Sequence, residues 1–319
     1  MTAKTKIWLI IGISLILIGC ILFGGVMSLL KWDFTRLSTV QLETNEYAIE
    51  ETFSDITIYS DTADITFIPA GKTRIVCYEH PSVKHTVSVE EGVLSIRVVD
   101  ERKWYGHIGI SFDSPKITVY LPGGDYGTLR IQESTGEVEI RRDFAWESVD
   151  ITASTGDVAC YASASGSVSV RTSTGAIRME GLSAGALDLS VSTGRVSVSD
   201  VTCVEDIKIR VSTGRATLTD TTCRDLTSTG STGDVLLKNV IAAGKISIER
   251  DTGDVTFDGC DGAEISVKTD TGDIKGTLLS DKIFFAQSGT GRVRVPKTTS
   301  GGKCEIDTDT GNVDIRIGE

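Results

Sequence analysis

The sequence predicts an all-β fold: a single-chain parallel β-solenoid, or β-helix, with rungs of 19–20 residues, preceded by one N-terminal transmembrane helix. Three observations carry this. Aromatics make up only 6% of the 319 residues and Pro only 5 positions, while 33 Gly accompany abundant Ser, Thr, Val and Ile, a composition of short strands and tight turns. A Thr-Gly dipeptide recurs every 19 or 20 residues through the second half of the chain. The third observation is "IWLIIGISLILIGCILFGGVMSLL", Ile7 to Leu30, 24 residues without a charge.

That run is long enough to cross a hydrocarbon core of about 30 Å as a helix. It divides the start of the chain into a short N-terminus (1–6), a span (7–30) and a linker (31–44). Leu17-Ile18-Gly19-Cys20 also fits a bacterial lipoprotein cleavage box, in which Cys20 would be lipidated. The ten apolar residues after Cys20 and the length of the run favour an uncleaved span instead. Lys4 and Lys6 on one side nearly balance Lys31 and Arg36 on the other, so the positive-inside rule gives little. The six-residue flank before the span and the long β region after it favour the N-terminus inside and the β domain extracellular. The three lysines of residues 1–32 face no acid, so a chain of net charge −12 leaves about −15 on the remainder. Such a domain repels nucleic acid and anionic headgroups.

Residues 45–127 read as an irregular β region that starts and caps the solenoid. "ITIYSDTADITFIP" (56–69) and "ITVYLP" (117–122) are strand-like, with Pro at their ends. "DERKWYGHIGISF" (100–112) interrupts the pattern as a polar, aromatic loop, read as a long connection with ligand contact as the competing role.

Residues 128–319 are the regular part. The corners are Thr135-Gly136, Thr155-Gly156, Thr174-Gly175, Thr193-Gly194, Thr213-Gly214, Thr232-Gly233, Thr252-Gly253, Thr271-Gly272, Thr290-Gly291 and Thr310-Gly311. Two residues after each Gly the side chain is apolar, from Val138 to Val313, and pairs such as Leu187/Leu189 and Ile207/Ile209 precede it by seven and five. This period of two is a strand signal. Each rung therefore reads as two strands with two inward rows, bent at Thr-Gly and closed by a return of six to eight residues. One unit cannot bury its apolar face alone, so rungs stack at about 4.8 Å into a flattened solenoid about 50 Å long. A series of antiparallel hairpins is the structural alternative. Gly supplies the positive φ of a sharp corner, and stacked Thr hydroxyls could bond along their column.

The "STG-D/R/E-V" rungs, with "ITVYLPGGDYGTLRIQESTGEVEI" (117–140), resemble the bacterial DUF4097 family of adhesin-like, β-strand-repeat envelope proteins. The resemblance implies a surface-exposed solenoid, sometimes linked to envelope stress, and supplies no catalytic residues or cofactor.

Asp251-Thr252-Gly253, Asp270-Thr271-Gly272 and Asp309-Thr310-Gly311 repeat the triplet of aspartic proteases. Earlier rungs carry Ser in place of Asp, at Ser134 or Ser154, so the triplet reads as a variable residue before a structural corner. Three His (His80, His85, His107) with no HExxH, GxSxG or phosphate-loop motif give zinc, Ser/His/Asp and nucleotide chemistry no sequence signature. In the column after Gly, Asp234, Asp254 and Asp273 form a weak calcium candidate. Cys203 and Cys223, each nine residues after a corner Gly, stack close enough to bond or to remain two thiols. The reading is a non-enzymatic, membrane-anchored protein that recognises an envelope protein or polymer. The alternatives are envelope-stress sensing through a membrane partner and, less favoured, a polysaccharide-processing β-helix. The chain stops at "DIRIGE", directly after a strand, which suggests homo-oligomer pairing through an open C-terminal edge.

Overall fold

The structure, a computed structural model, describes residues 3–33, 42–100 and 113–318. Residues 101–112 of the expected polar loop lie outside the described residues. The first element is an α-helix, Ala3–Leu29, whose stretch Thr5–Leu29 is long and apolar enough to cross a membrane.

One turn shows how the repeat folds. Leu187, Leu189 and Val191 point inward and are buried, Thr193-Gly194 bends the chain, and Val196 and Val198 point inward on the next wall. The chain then bends again at Asp200 and presents Val201 and Cys203 to the same core. The expected two inward rows are therefore three, and the return segment is itself a wall. The third row is weak in sequence because it holds small or polar residues, including Ala184, Thr221, Cys223 and Ala242.

The second corner has its own residue requirement. It lies six residues after Gly and is filled by Gly181, Asp200, Asp220, Asn239 and Gly259, with φ of 65°, 53°, 48°, 51° and 63°. These are the residue types that tolerate the left-handed region. The third corner absorbs the variable repeat length: residues 204–206 follow Cys203, whereas only 224–225 follow Cys223 before the next strand.

Equal positions stack on equal positions. Leu187 pairs with Ile207, Val196 with Ala216 and Val201 with Thr221, all in parallel register. Every strand pairing between Gly124 and Ile317 is parallel among the described residues, which removes the hairpin alternative. One apolar core runs through the stack from Ile56 to Ile315.

The stack extends one turn beyond the ten Thr-Gly corners. Ile56 pairs with Leu129 and Ile65 with Val138, so Thr62-Ala63 occupies the place of Thr135-Gly136. At both ends the chain order is broken. The turn of residues 55–69 lies between residues 93–121 on one side and 124–140 on the other. At the far end, Gly302–Thr310 and Val313–Ile317 lie between the 265–278 turn and the 282–294 turn. Gly302–Thr310 and Val313–Asp314 are thus enclosed between two neighbours, Ile315–Ile317 pair on one side, and most of the open edge at that end belongs to Lys282–Thr290 and Val293–Arg294. The expected C-terminal edge is thereby confined to the last three residues of that strand.

Antiparallel strands finish the other end. Lys116–Leu121 pairs with Arg74–Glu79, which pairs with Glu43–Ala48, and Val83–Glu90 forms a hairpin with Val93–Asp100. Glu91 and Gly92, both at positive φ, make its turn.

Candidate functional site

The Thr-Gly corners form one long flank of the solenoid. At Gly214, with φ of 137°, an added Cβ would lie 1.6 Å from the carbonyl oxygen of Gly194. Glycine is thus required both for its dihedral and because the turns touch backbone to backbone. The stacking continues through amides: Gly136 N–H donates to Thr155 O at 3.1 Å and Gly253 N–H to Thr271 O at 2.8 Å. The corner Thr side chains are exposed, and no hydroxyl–hydroxyl bond joins one to the next among the described residues. The anticipated hydroxyl ladder is replaced by a backbone one.

The next column carries a second ladder. Asp234 Oδ1 accepts from the Asp254 amide at 3.2 Å, Asp254 Oδ1 from Asp273 at 2.9 Å, and Asp273 Oδ1 from Asn312 at 2.7 Å. Each side-chain oxygen thereby occupies the amide of the turn above it. Asp234 also pairs with Arg215 at 2.8 Å, and Asp254 with Lys275 at 3.7 Å. The order Asp273 to Asn312, which skips Arg292, repeats the interleaving of the end. The three calcium candidates therefore sit on consecutive turns, each held by an amide.

The ladder is interrupted in the middle of the flank. Ala176, Arg195 and Arg215 replace the acids there, and a groove of about 730 Å³ lies over Gly194, Gly214 and Gly233, walled by Arg178, Arg195, Arg215 and Asp234. Arg195 and Arg215 are in direct register on neighbouring strands, where like charges oppose each other at about 4.8 Å backbone spacing. Arg215 is balanced by Asp234, whereas Arg195 has no carboxylate within salt-bridge reach among the described residues. The groove is a local cationic site on an acidic domain. It was readable in the sequence as two Arg in the column after Gly, but the contribution of Arg178, from the preceding turn, needed the register.

The other sequence candidates fall elsewhere. Asp251, Asp270 and Asp309 are exposed and stand on three consecutive layers of one outer column, so they do not face one another as a protease pair must. Cys203 and Cys223 are free and buried, and burial pushes each thiol up to about 12. Cys160 and Cys304 lie in the core as expected. Arg250 is an unforeseen member of the interior. Its guanidinium fills the space beside Gly230, donates to Ser228 Oγ at 2.9 Å and to Glu249 O at 3.0 Å, and is brought down to about 10 by burial.

A solved protein from Bacteroides fragilis named "putative adhesin" is 14% identical, covering 86% of this chain and 97% of its own, with a TM-score of 0.45. One from Parabacteroides distasonis of the same name is 12% identical, covering 87% and 98%, at 0.49. Another from that organism, named "Putative lipid binding protein", is 13% identical, covering 88% and 98%, at 0.42. No protein with a curated description matches the chain. The Toastrack DUF4097 family matches residues 53–221 and 200–319, and the chain belongs to that family.

Proposed function

We propose that this is a surface-recognition protein, anchored by its N-terminal helix with the β domain outside, that binds an acidic polymer along the Thr-Gly flank. The observation that carries the reading is the pair Arg195 and Arg215, held in register with Arg178 lining the same groove and Arg195 lacking a carboxylate partner among the described residues. Two like charges on adjacent strands destabilise the sheet, and a bound anion relieves that cost. A rigid row at about 4.8 Å spacing suits a polymer whose acidic groups repeat. The flanking Asp ladder repels the same polymer elsewhere, which confines it to the groove.

The full chain in detergent, titrated with polygalacturonate and with neutral dextran, tests this. Binding to polygalacturonate alone, weakened by salt and reduced at least tenfold in the double variant Arg195→Glu, Arg215→Glu, is expected. Equal binding of both polymers, or an acidic-polymer affinity unchanged in the variant, would overturn it.

A further inference from the structure

The cap at the N-terminal end contains a second constellation, unrelated to the flank. Glu79 and His85 are 1% and 4% exposed, and Ser60 is 5% exposed. Ser60 belongs to Asp55–Thr62 in the first turn, Glu79 ends Arg74–Glu79, and His85 lies on Val83–Glu90. Their positions, 25 and 6 residues apart, match no sequence motif, because antiparallel strands of the cap bring them together.

The hydrogen bonds assign the protons. Glu79 accepts from Asn45 Nδ2 through Oε1, and from both the amide and Nδ1 of His85 through Oε2, each at 2.7 Å. With Oε2 as the acceptor at 2.7 Å, Nδ1 carries the imidazole proton and Nε2 is left as a lone-pair acceptor. Nε2 faces Ser60 Oγ at 3.3 Å, and the same hydroxyl stands opposite Glu133, a second acceptor for its proton. Tyr47 Oη donates to the His85 carbonyl at 2.9 Å and steadies that strand.

A cavity of about 210 Å³ lies against these groups, lined by Ser60, Glu79 and His85 with Val83, Val98 and Pro115 as its apolar wall. It forms where the outer strand diverges: Asp55–Thr62 is paired to Val93–Asp100 only as far as Tyr59 with Arg97, so Ser60 is the first residue beyond that pairing. His80 also lines the cavity, and because its Nδ1 accepts the Ser82 amide at 2.9 Å, its proton sits on Nε2 as a donor.

A metal is the competing occupant, since Cys77, Glu79 and His85 offer ligand atoms within 4.8 Å of one another. The 2.7 Å between His85 Nδ1 and Glu79 Oε2 is a hydrogen bond. Two ligands on one tetrahedral ion, with bonds near 2.0–2.1 Å, stand about 3.3 Å apart. The arrangement is that of an oriented base, not of a coordination shell.

We propose that Ser60, His85 and Glu79 form a nucleophile, base and positioning residue that cleave short-chain acyl esters held in this cavity. Ser60 Oγ bonds to the acyl carbon as its proton passes to His85 Nε2. The departing alkoxide takes that proton, leaving acyl-Ser60 and a free alcohol. Water then attacks the acyl carbon, giving its proton to Nε2, and the carboxylic acid leaves as Ser60 Oγ regains a proton. Glu79 keeps its hydrogen bond to Nδ1 throughout and fixes the imidazole tautomer. The wall of Val83, Val98 and Pro115 suits a chain of a few carbons.

The full chain in detergent, treated with a fluorophosphonate and digested, should carry the adduct on the peptide bearing Ser60. It should also hydrolyse p-nitrophenyl butyrate, with at least a tenfold loss in Ser60→Ala and in His85→Gln, and Glu79→Gln should lower kcat with KM unchanged. Mapping the adduct on the unaltered chain requires no variant to fold. An adduct absent from Ser60 in protein with its β-sheet circular dichroism intact, or hydrolysis unchanged in folded Ser60→Ala, would overturn the proposal.

Discussion

The middle of the solenoid and its two ends are built from the same turn but follow different rules of order. From residue 144 to 257 each turn lies beside the turns that precede and follow it in sequence. At the ends, 55–69 is enclosed between 93–121 and 124–140, and 302–317 between 265–278 and 282–294. An end turn stacked in simple order would contact one neighbour and fray. Interleaving gives the first and last turns two neighbours each and leaves an inner stretch of chain at the edge, tethered on both sides. The permutation thus supplies at the C-terminal end what a capping helix would otherwise do.

The largest effect should come from deleting what the ends enclose. Removing residues 302–319 strips Cys304, Ile306, Val313 and Ile315 from the core and leaves the 282–294 turn without its partner. At about 1.5–3 kcal/mol per buried apolar side chain, the loss exceeds about 5 kcal/mol. Deleting 195–214, one whole middle turn, keeps the register and should leave a cooperatively folding chain with a much smaller shift. Thermal melts of the two deletions check the contrast, and equal losses would mean that ends and middle are equivalent.

Corners come next. Gly214→Ala should cost at least about 2 kcal/mol, from positive φ and from the clash with Gly194. Ala63, its counterpart in the first turn, has no positive φ, so Ala63→Gly should cost about 1 kcal/mol or less. Urea midpoints measure both.

The second corner should respond more weakly. Asp220 combines a φ of 48° with acceptance of the Asn239 Nδ2 hydrogen bond at 2.8 Å. Asp220→Gly should be near neutral and Asp220→Val should destabilise by about 1–2 kcal/mol, because a β-branched residue resists the left-handed region.

The smallest effect is a pH slope at the first turns. Burial lifts Glu133 to about 7 from the usual 4.5, against the pull of hydrogen bonds from Ala63, Ser60 and Thr135. A carboxyl raised in the folded state binds its proton more tightly there than when unfolded. Its contribution is therefore favourable at low pH and is lost as pH rises from about 4.5 to about 7. Glu133→Gln should flatten that part of the stability profile, as read by melts from pH 4 to 8.

These contrasts track what the sequence could express. The ten Thr-Gly corners were legible because a backbone contact leaves no substitute for Gly, and the rows around Leu187 and Val196 because they alternate cleanly. Thr62-Ala63 went unread as a corner because Ala replaces the marker, and the third wall because Thr221, Cys223 and Ala242 carry little hydrophobic contrast. The series Gly181, Asp200, Asp220, Asn239 and Gly259 is a sequence signal six residues after the corner Gly, but only in five consecutive turns, which keeps it faint. Chain order at the ends leaves no local trace, since any turn can stack on any other. The cationic flank was half-visible through Arg195 and Arg215, while Ser60, Glu79 and His85 converge only through antiparallel pairing in the cap.

Interleaving at the C-terminal end is tested most directly by cross-linking. Lys268 stands opposite Asp307, which in turn stands opposite Gln287. Adjacent strands bring Cα atoms within disulfide range, whereas strands two apart lie about 9.6 Å from each other, beyond it. The double variant Lys268→Cys, Asp307→Cys should form a mapped disulfide under mild oxidation, and Lys268→Cys, Gln287→Cys should not. A bond in the second pair and none in the first would show turns stacked in simple chain order and contradict the account.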